Sequence, residues 1–513
     1  MKMRHVLLAS AAALSVVSSA RAADLPTRKA APVNYVKVCD AYGDRFFYIP
    51  GTDTCLRIGG AVLAATAISN TPTSVWAGYT PSAMGLGSAL PVAPVLGDLR
   101  DATSMLAVGR IEADARTMTQ WGTLRTFVRV DSVFGSGQVF ATGGFPLPQA
   151  GMAPLWGGTP FAARDTTTLD KGFIQFAGLT MGRIQSMFDF YADSVGFTLL
   201  RGSNQTVDAL SYTAAFGGGL SATLSAEDSV SHRGPIGSVV MFPNGVPTAQ
   251  LNGTRIPDIV ANLRIDQAWG AAQLSGAMHQ VRGGLYSAGL TGVPPGIAEI
   301  ANTNGMGFAL QGGVKFKLDM LSPGDVLWLQ ATYANGAIGY VTGDNLAYVN
   351  GVGTSTNYGV GVARVSSGNG WNLAVDSDCV FTYSGGCSKS SAFAFTGALR
   401  HFWTPTLSST LSGSYYQVRY GDNAVNPIPG AMAWNSPGYR VGQTNYKEIT
   451  AATGLIWSPV KSFEIGAEFE YQHGITSRPI GLAPDAALIA AGMPAYKGQA
   501  DLFRGSLRMV RSF

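Results

Sequence analysis

Val108-Gly109-Arg110-Ile111-Glu112-Ala113-Asp114-Ala115-Arg116 places a charge at every second position from Arg110 onward, with a small or apolar side chain between each pair. A β-strand throws successive side chains to opposite faces, so this run has one wet face and one apolar face. The same alternation recurs along the chain. Asn262, Arg264 and Asp266 oppose Ala261, Leu263 and Ile265; Gln311, Lys315 and Lys317 oppose Leu310, Val314, Phe316 and Leu318; Glu464, Glu468, Glu470 and Gln472 oppose Phe463, Ile465, Phe469 and Tyr471. These stretches, of about ten residues each, are joined alternately by very short turns and by long Gly/Pro-rich segments, the rhythm of a barrel whose strands cross a bilayer. A soluble antiparallel sandwich alternates too, burying its apolar face in a core, so periodicity alone leaves both architectures open.

The ends of the chain and its composition narrow the choice. Lys2 and Arg4 precede an apolar run from Val6 to Ala20, and Ala20-Arg21-Ala22 supplies a cleavage pattern, so residues 1–22 are expected to be a secretory signal peptide. The formal charge of +4 then falls by the three units on Lys2, Arg4 and Arg21, to +1, which argues against a nucleic-acid partner. No later stretch reaches the roughly eighteen apolar residues of a spanning helix, so a membrane would have to be crossed by strands. The 65 glycines and the 13% of charged residues suit strands and turns better than long helices. Cys39 with Cys55, and Cys379 with Cys387, are two close pairs that predict two disulfides in an oxidising compartment. Neither pair has the spacing or the nearby histidine of a zinc site, and no metal or other cofactor is expected.

Seven short hairpin turns can be placed, near residues 119–122, 178–180, 217–219, 269–270, 319–324, 404–405 and 458–459. With a first strand at 55–66 and a last at 501–513 they predict an all-β, sixteen-stranded transmembrane antiparallel barrel, an even count that brings both termini to the short-turn rim. Residues 23–54 precede it as a periplasmic segment, and 55–513 form the barrel and its long outer loops, at 67–103, 135–167, 229–256, 283–304, 337–391, 421–445 and 474–500. Residues 371–390 could pass for another strand but are assigned to the loop at 337–391, where the Cys379–Cys387 bridge would pin it. Phe513 closes an alternating run through Arg511, Met509, Leu507, Gly505 and Phe503, and looks like an outer-membrane assembly signal.

Val38-Cys39-Asp40-Ala41-Tyr42-Gly43 and Phe46-Phe47-Tyr48-Ile49-Pro50-Gly51-Thr52-Asp53-Thr54-Cys55-Leu56-Arg57-Ile58-Gly59-Gly60 resemble the general porins of alphaproteobacteria. So do Gly172-Phe173-Ile174-Gln175-Phe176-Ala177-Gly178, Gly182-Arg183, Gln185-Ser186 and Phe188-Asp189-Phe190. The resemblance resumes at His401-Phe402-Trp403-Thr404-Pro405, Leu455-Ile456-Trp457-Ser458-Pro459-Val460-Lys461 and Phe513, and covers the mature chain except its outer loops. It implies a sixteen-stranded barrel in the outer membrane, a homotrimer, with the third outer loop folded into the lumen as a constriction. Its solutes would be ions and small hydrophilic molecules crossing by passive diffusion. At Leu63 the family commonly carries a lumen arginine, so this wall is expected to be less positive.

Position and resemblance mark 187–205 as the candidate constriction loop, including Phe188, Asp189, Phe190, Tyr191 and Asp193, with Asp189 and Asp193 as its charges. Facing it, the expected pore wall is Arg57, Arg110, Glu112, Asp114, Arg116, Arg125, Arg129, Lys171 and Arg183, with Asp131 on the same face. An arginine on the lipid face would cost about 2–4 kcal/mol at mid-membrane, which favours an inward setting. Carboxylates on the loop opposite arginines on the wall would set up a transverse field, and local pairing with Glu112, Asp114 or Asp131 would weaken it. A barrel enzyme is the alternative of another class, but His232, His279, His401 and His473 stand in no recognisable nucleophile arrangement. A closed structural or adhesive barrel is a third, disfavoured because ionised lumen groups packed without water are costly.

Overall fold

In the computed structural model the quoted run lies in strand Thr103–Thr119, and its odd positions face away from the barrel while its even positions face in. Met105 and Ile111 are each 65% exposed, whereas Asp114 is 1% exposed. An apolar side chain left open on the outside of a sheet and an acid buried on the inside invert the soluble sandwich and match a barrel with lipid around it. The structure describes residues 37–70, 102–136, 163–238, 248–286, 299–342, 376–383, 386–425, 444–478, 480, 484–490 and 498–513. The expected signal peptide, most of the loops at 67–103 and 135–167, and Trp371 lie outside the described residues.

Sixteen strands form the wall: β1 (Thr54–Ser69), β2 (Thr103–Thr119), β3 (Gly122–Ser136), β4 (Ala163–Phe176), β5 (Leu179–Gln185), β6 (Thr206–Gly217), β7 (Leu220–Glu227) and β8 (Asp258–Gln267). The second half comprises β9 (Gly270–Tyr286), β10 (Glu299–Lys317), β11 (Val326–Asn335), β12 (Ser391–Thr404), β13 (Leu407–Arg419), β14 (Tyr446–Val460), β15 (Phe463–Thr476) and β16 (Gln499–Ser512). Each pairs antiparallel with its neighbours in sequence, and β16 returns to β1 in a register running from Ala61 opposite Ser512 to Ser69 opposite Arg504. The ring is therefore closed and exposes no sheet edge. All seven expected hairpins are present. The last is displaced, because β14 continues through a bulge past Ser458 and Pro459 and turns at Lys461 and Ser462 instead.

Trp121, Trp269, Trp403, Trp457 and Phe513 are all exposed close to the short-turn rim, the position of an interfacial aromatic girdle. Both disulfides form, with Cα–Cα separations of 6.0 Å for Cys39–Cys55 and 5.6 Å for Cys379–Cys387. The first fastens the segment before the barrel, where Phe47–Tyr48 pairs with Cys55 and Leu56. The second closes a small outer sheet in which Cys379–Phe381 lies between Cys387–Lys389 and Ile236–Ser238. The segment around Cys379 is thus a loop structure and not a barrel strand. No helix among the described residues is long and apolar enough to cross a membrane.

Candidate functional site: the inward segment and the charged wall

Between β5 and β6 the chain leaves the wall. β5 ends at Gln185, and buried Glu227 turns the backbone inward by accepting from Ser186 Oγ at 2.7 Å and Met187 N at 2.9 Å. Residues 188–201 then run across inward-facing side chains of β9 to β15. Gln273 Nε2 donates to the Asp189 carbonyl at 3.0 Å and Gln311 Nε2 to that of Phe188 at 2.8 Å, while Tyr191 N donates to Gln330 Oε1 at 3.0 Å. Phe197 N and Thr198 Oγ1 donate to Glu468 at 2.8 and 2.6 Å. Arg201 ends the crossing with two bonds to Glu448, at 2.7 and 2.6 Å, and its guanidinium lies 4.0 Å over the Tyr416 ring.

Two aromatic side chains of this segment fill places where the wall has no side chain. A Cβ built on Gly313 would sit 2.4 Å from Phe190, and one on Gly466 would sit 2.2 Å from Phe197. Phe190 also packs edge-on against Trp328 at 5.0 Å. Leu63 joins Ala67, Leu106, Val108, Val133 and Ile456 in a buried apolar cluster around Phe197. The position where the family commonly has an arginine is therefore inward, as its parity requires, and serves here as part of an apolar seat.

The segment's two acids bond to the segment itself and to the last residue of β5. Asp189 Oδ2 accepts from Gln185 Nε2 at 2.6 Å and from Gln205 N at 2.7 Å; Asp193 accepts from Leu200 N at 2.9 Å and Asn204 Nδ2 at 3.0 Å. Burial pushes the Asp189 carboxyl up to about 6, against the pull of hydrogen bonds from Ser203, Gln205 and Gln185. Asp193 adopts a left-handed backbone, φ 48°, that Asn and Asp tolerate better than most residues. Phe188 packs edge-on against Tyr340 at 4.7 Å, and the Tyr191 hydroxyl donates to the Val195 carbonyl at 3.0 Å.

The wall formed by β1 to β4 carries the expected charges, paired among themselves. Arg110 bonds Asp131 at 2.8 Å, Arg129 bonds Glu112 at 3.0 Å and Asp170 at 3.3 Å, and Lys171 donates to Gln185 at 3.1 Å. Arg116, Arg125 and Arg57 converge on Asp114 at 2.8, 3.0 and 3.7 Å. Arg183 departs from expectation. It stands opposite Gly172 on β4 and Asp208 on β6, in the outward set with Met181 and Leu210, and its guanidinium reaches Asp208 at 3.9 Å. The cause is local register: a bulge at Asp170 resets the parity of β4, so Lys171 and Phe173 point in while Gly172, and hence Arg183, points out.

The histidines are structural partners. His279 Nδ1 meets Asp258 at 2.8 Å, His401 meets Asp325 at 2.6 Å and His473 meets Asp501 at 2.7 Å. His232 stacks on Tyr340 at 3.8 Å and touches Ser203 Oγ at 3.1 Å, but its Nδ1 has no hydrogen-bond partner to orient the ring as a base. Arg201, Glu448 and Asp170 were not singled out in the sequence. The inward parity of Glu448 beside Tyr446 and Thr450 was the available signal.

A closed antiparallel barrel with an apolar exterior, a charged interior, and a first strand that starts and a last strand that ends at its short-turn rim defines the class: a multi-pass β-barrel of the bacterial outer membrane. The chain belongs to the porin family, since residues 24–488 match the family described as Porin subfamily. Porin Omp2b of Brucella suis biovar 1 (strain 1330) is 26% identical over 281 residues, 53% of this chain and 64% of Omp2b; Porin Omp2b of Brucella abortus (strain 2308) matches to the same extent. The match thus spans under two thirds of these relatives' length. Among solved structures, the outer membrane channel DcaP of Acinetobacter baumannii shares the fold, with a TM-score of 0.52 at 14% identity over 91% of this chain and 99% of that one.

Proposed function

We propose that the protein is a passive channel for ions and small hydrophilic solutes, narrowed where residues 187–205 cross the lumen toward the wall of β1 to β4. The observation that carries this reading is the fastening of that segment to inward side chains of β9 to β15, from Gln273 to Glu468, while the half-exposed charges of β1 to β4 remain on the other side. A polar passage between them needs no reaction centre, only water and fixed charge. The channel reading is preferred to an enzymatic one because the four histidines of the described residues are engaged in packing or ion pairs. Phe188, Asp189, Tyr191 and Asp193 are read as residues that set the segment's shape, and Phe513 as the assembly signal.

A homotrimer is part of the same reading. The outward faces of β1 to β4 carry Ala64, Ala107, Gly109, Thr126 and the hydrogen-bonded pair Thr167 and Ser132, and Arg183 with Asp208 lies beside them. Met105 and Ile111 on the same faces suit lipid, but the small side chains between them let a neighbouring copy approach closely. Planar-bilayer recording of the refolded protein tests the channel: stepwise, nonspecific conductance is expected, and a membrane that stays silent rejects it.

A further inference from the structure

We propose that Arg57, Arg116 and Arg125 form an anion subsite at the short-turn end of the channel that takes small, doubly charged oxyanions; the inference rests on the channel reading above. Arg116 and Arg125 are direct cross-strand partners on β2 and β3, a like-charge pairing that repels unless something intervenes. Asp114 intervenes. It is 1% exposed, bonds Arg116 and Arg125 through both carboxylate oxygens, and has Arg57 of β1 opposite it at 3.7 Å. The next carboxylate along β2, Glu112, is bonded to Arg129. Among the described residues, then, the ion pairs of three guanidiniums end on one carboxylate, which leaves two positive charges. Farther up the wall the balance is reversed, since the two guanidiniums of Arg110 and Arg129 are paired with three carboxylates, Asp131, Asp170 and Glu112.

The three guanidiniums are also held in place by rings. Arg57 lies 5.3 Å over Phe46, Arg116 lies 5.1 Å over Phe46 and 5.7 Å over Tyr42, and Arg125 lies 5.2 and 5.3 Å from Phe127 and Phe173. Tyr42 and Phe46 belong to the segment that Cys39–Cys55 fastens beneath the barrel. With faces on aromatic carbon and one edge on Asp114, the remaining N–H edges are turned to water, and the three side chains keep 29, 26 and 26% exposure. Such a site is organised before its ligand arrives, and its excess charge of two matches a divalent oxyanion better than chloride.

The test is full-length protein in planar bilayers in potassium chloride, with inorganic phosphate as the probe. Phosphate is expected to reduce chloride current saturably, and at lower concentration from the short-turn side. Arg57→Gln should raise the half-blocking concentration roughly tenfold, the equivalent of one charge-assisted hydrogen bond, and move the zero-current potential in a salt gradient toward cations. Arg57 has the longest link to Asp114, so the Arg116–Asp114–Arg125 unit survives its loss. Arg125→Gln, on a different strand, is the second variant and should act alike. If wild type and both variants conduct but respond equally to phosphate, or not at all, the subsite is refuted and the channel stands. A wild-type protein without conductance overturns the channel reading and this inference with it.

Discussion

Replacing Arg201 with methionine tests whether the inward segment is held by its buried ion pair. Arg201 is 2% exposed, bonds Glu448 at 2.7 and 2.6 Å, and lies 3.5 Å from Asp376. Methionine retains much of the side-chain volume over Tyr416 but removes the guanidinium that faces the buried carboxylates of Glu448 and Asp376. Breaking one side of a buried pair typically costs about 3–5 kcal/mol. The Tyr446 hydroxyl, 2.8 Å from Glu448, offsets part of this, so the lower figure applies. At about 1.4 kcal/mol per factor of ten, the segment's hold on the wall weakens by roughly a hundredfold. Single-channel recording should then show a larger and noisier open current than wild type. Arg201→Met combined with Glu448→Gln should be quieter than the single variant, because one buried charge has gone. A folded Arg201→Met channel with wild-type current and noise would refute the claim that this pair holds the segment.

Asp189 gives a pH prediction. Its carboxyl titrates near 6 in the folded protein against an ordinary 3.8, so the stabilisation it contributes is complete below about 4 and lost as pH rises through 6. Open-channel noise should rise over that interval in wild type and stay level in Asp189→Asn; an unchanged profile in the variant excludes Asp189 as the source. Because Arg183 faces outward, Arg183→Gln should leave the zero-current potential where it is while lowering the temperature at which the proposed trimer dissociates on a gel. A shift in ion preference would return Arg183 to the lumen. Phe513 is 59% exposed, with its ring over Gly60, so Phe513→Ala should refold in detergent almost normally yet accumulate poorly in cells, as measured by the heat-modifiable band. Equal cellular amounts would remove its role in assembly.

The barrel itself was legible because its evidence is local. Alternation in residues 108–116 and the short turns need only neighbours a few positions apart to be read, and the two cysteine pairs are separated by 16 and 8 residues. Arg183 was misplaced because its direction depends on which β4 residue it meets: it stands opposite Gly172, which points outward next to inward Lys171, a register no charge pattern announces. The settings of Phe190 over Gly313 and Phe197 over Gly466 were illegible for a different reason. They depend on strands far along the chain and on side chains that glycine lacks. Asp189 and Asp193 look like lumen charges in sequence, and only the fold brings Gln185, Gln205, Leu200 and Asn204 within reach of them.

The pairing of β1 with β16 has a consequence for how the molecule can be made. Asn70 Nδ2 donates to the Asp501 carbonyl across 431 positions, and the register that shuts the ring runs beside it. A chain released before residue 499 would not be a narrower tube but an unrolled sheet, with two raw hydrogen-bonding margins in lipid that cannot satisfy them. A shortened chain therefore cannot close the ring, because closure waits on the final fourteen-residue strand.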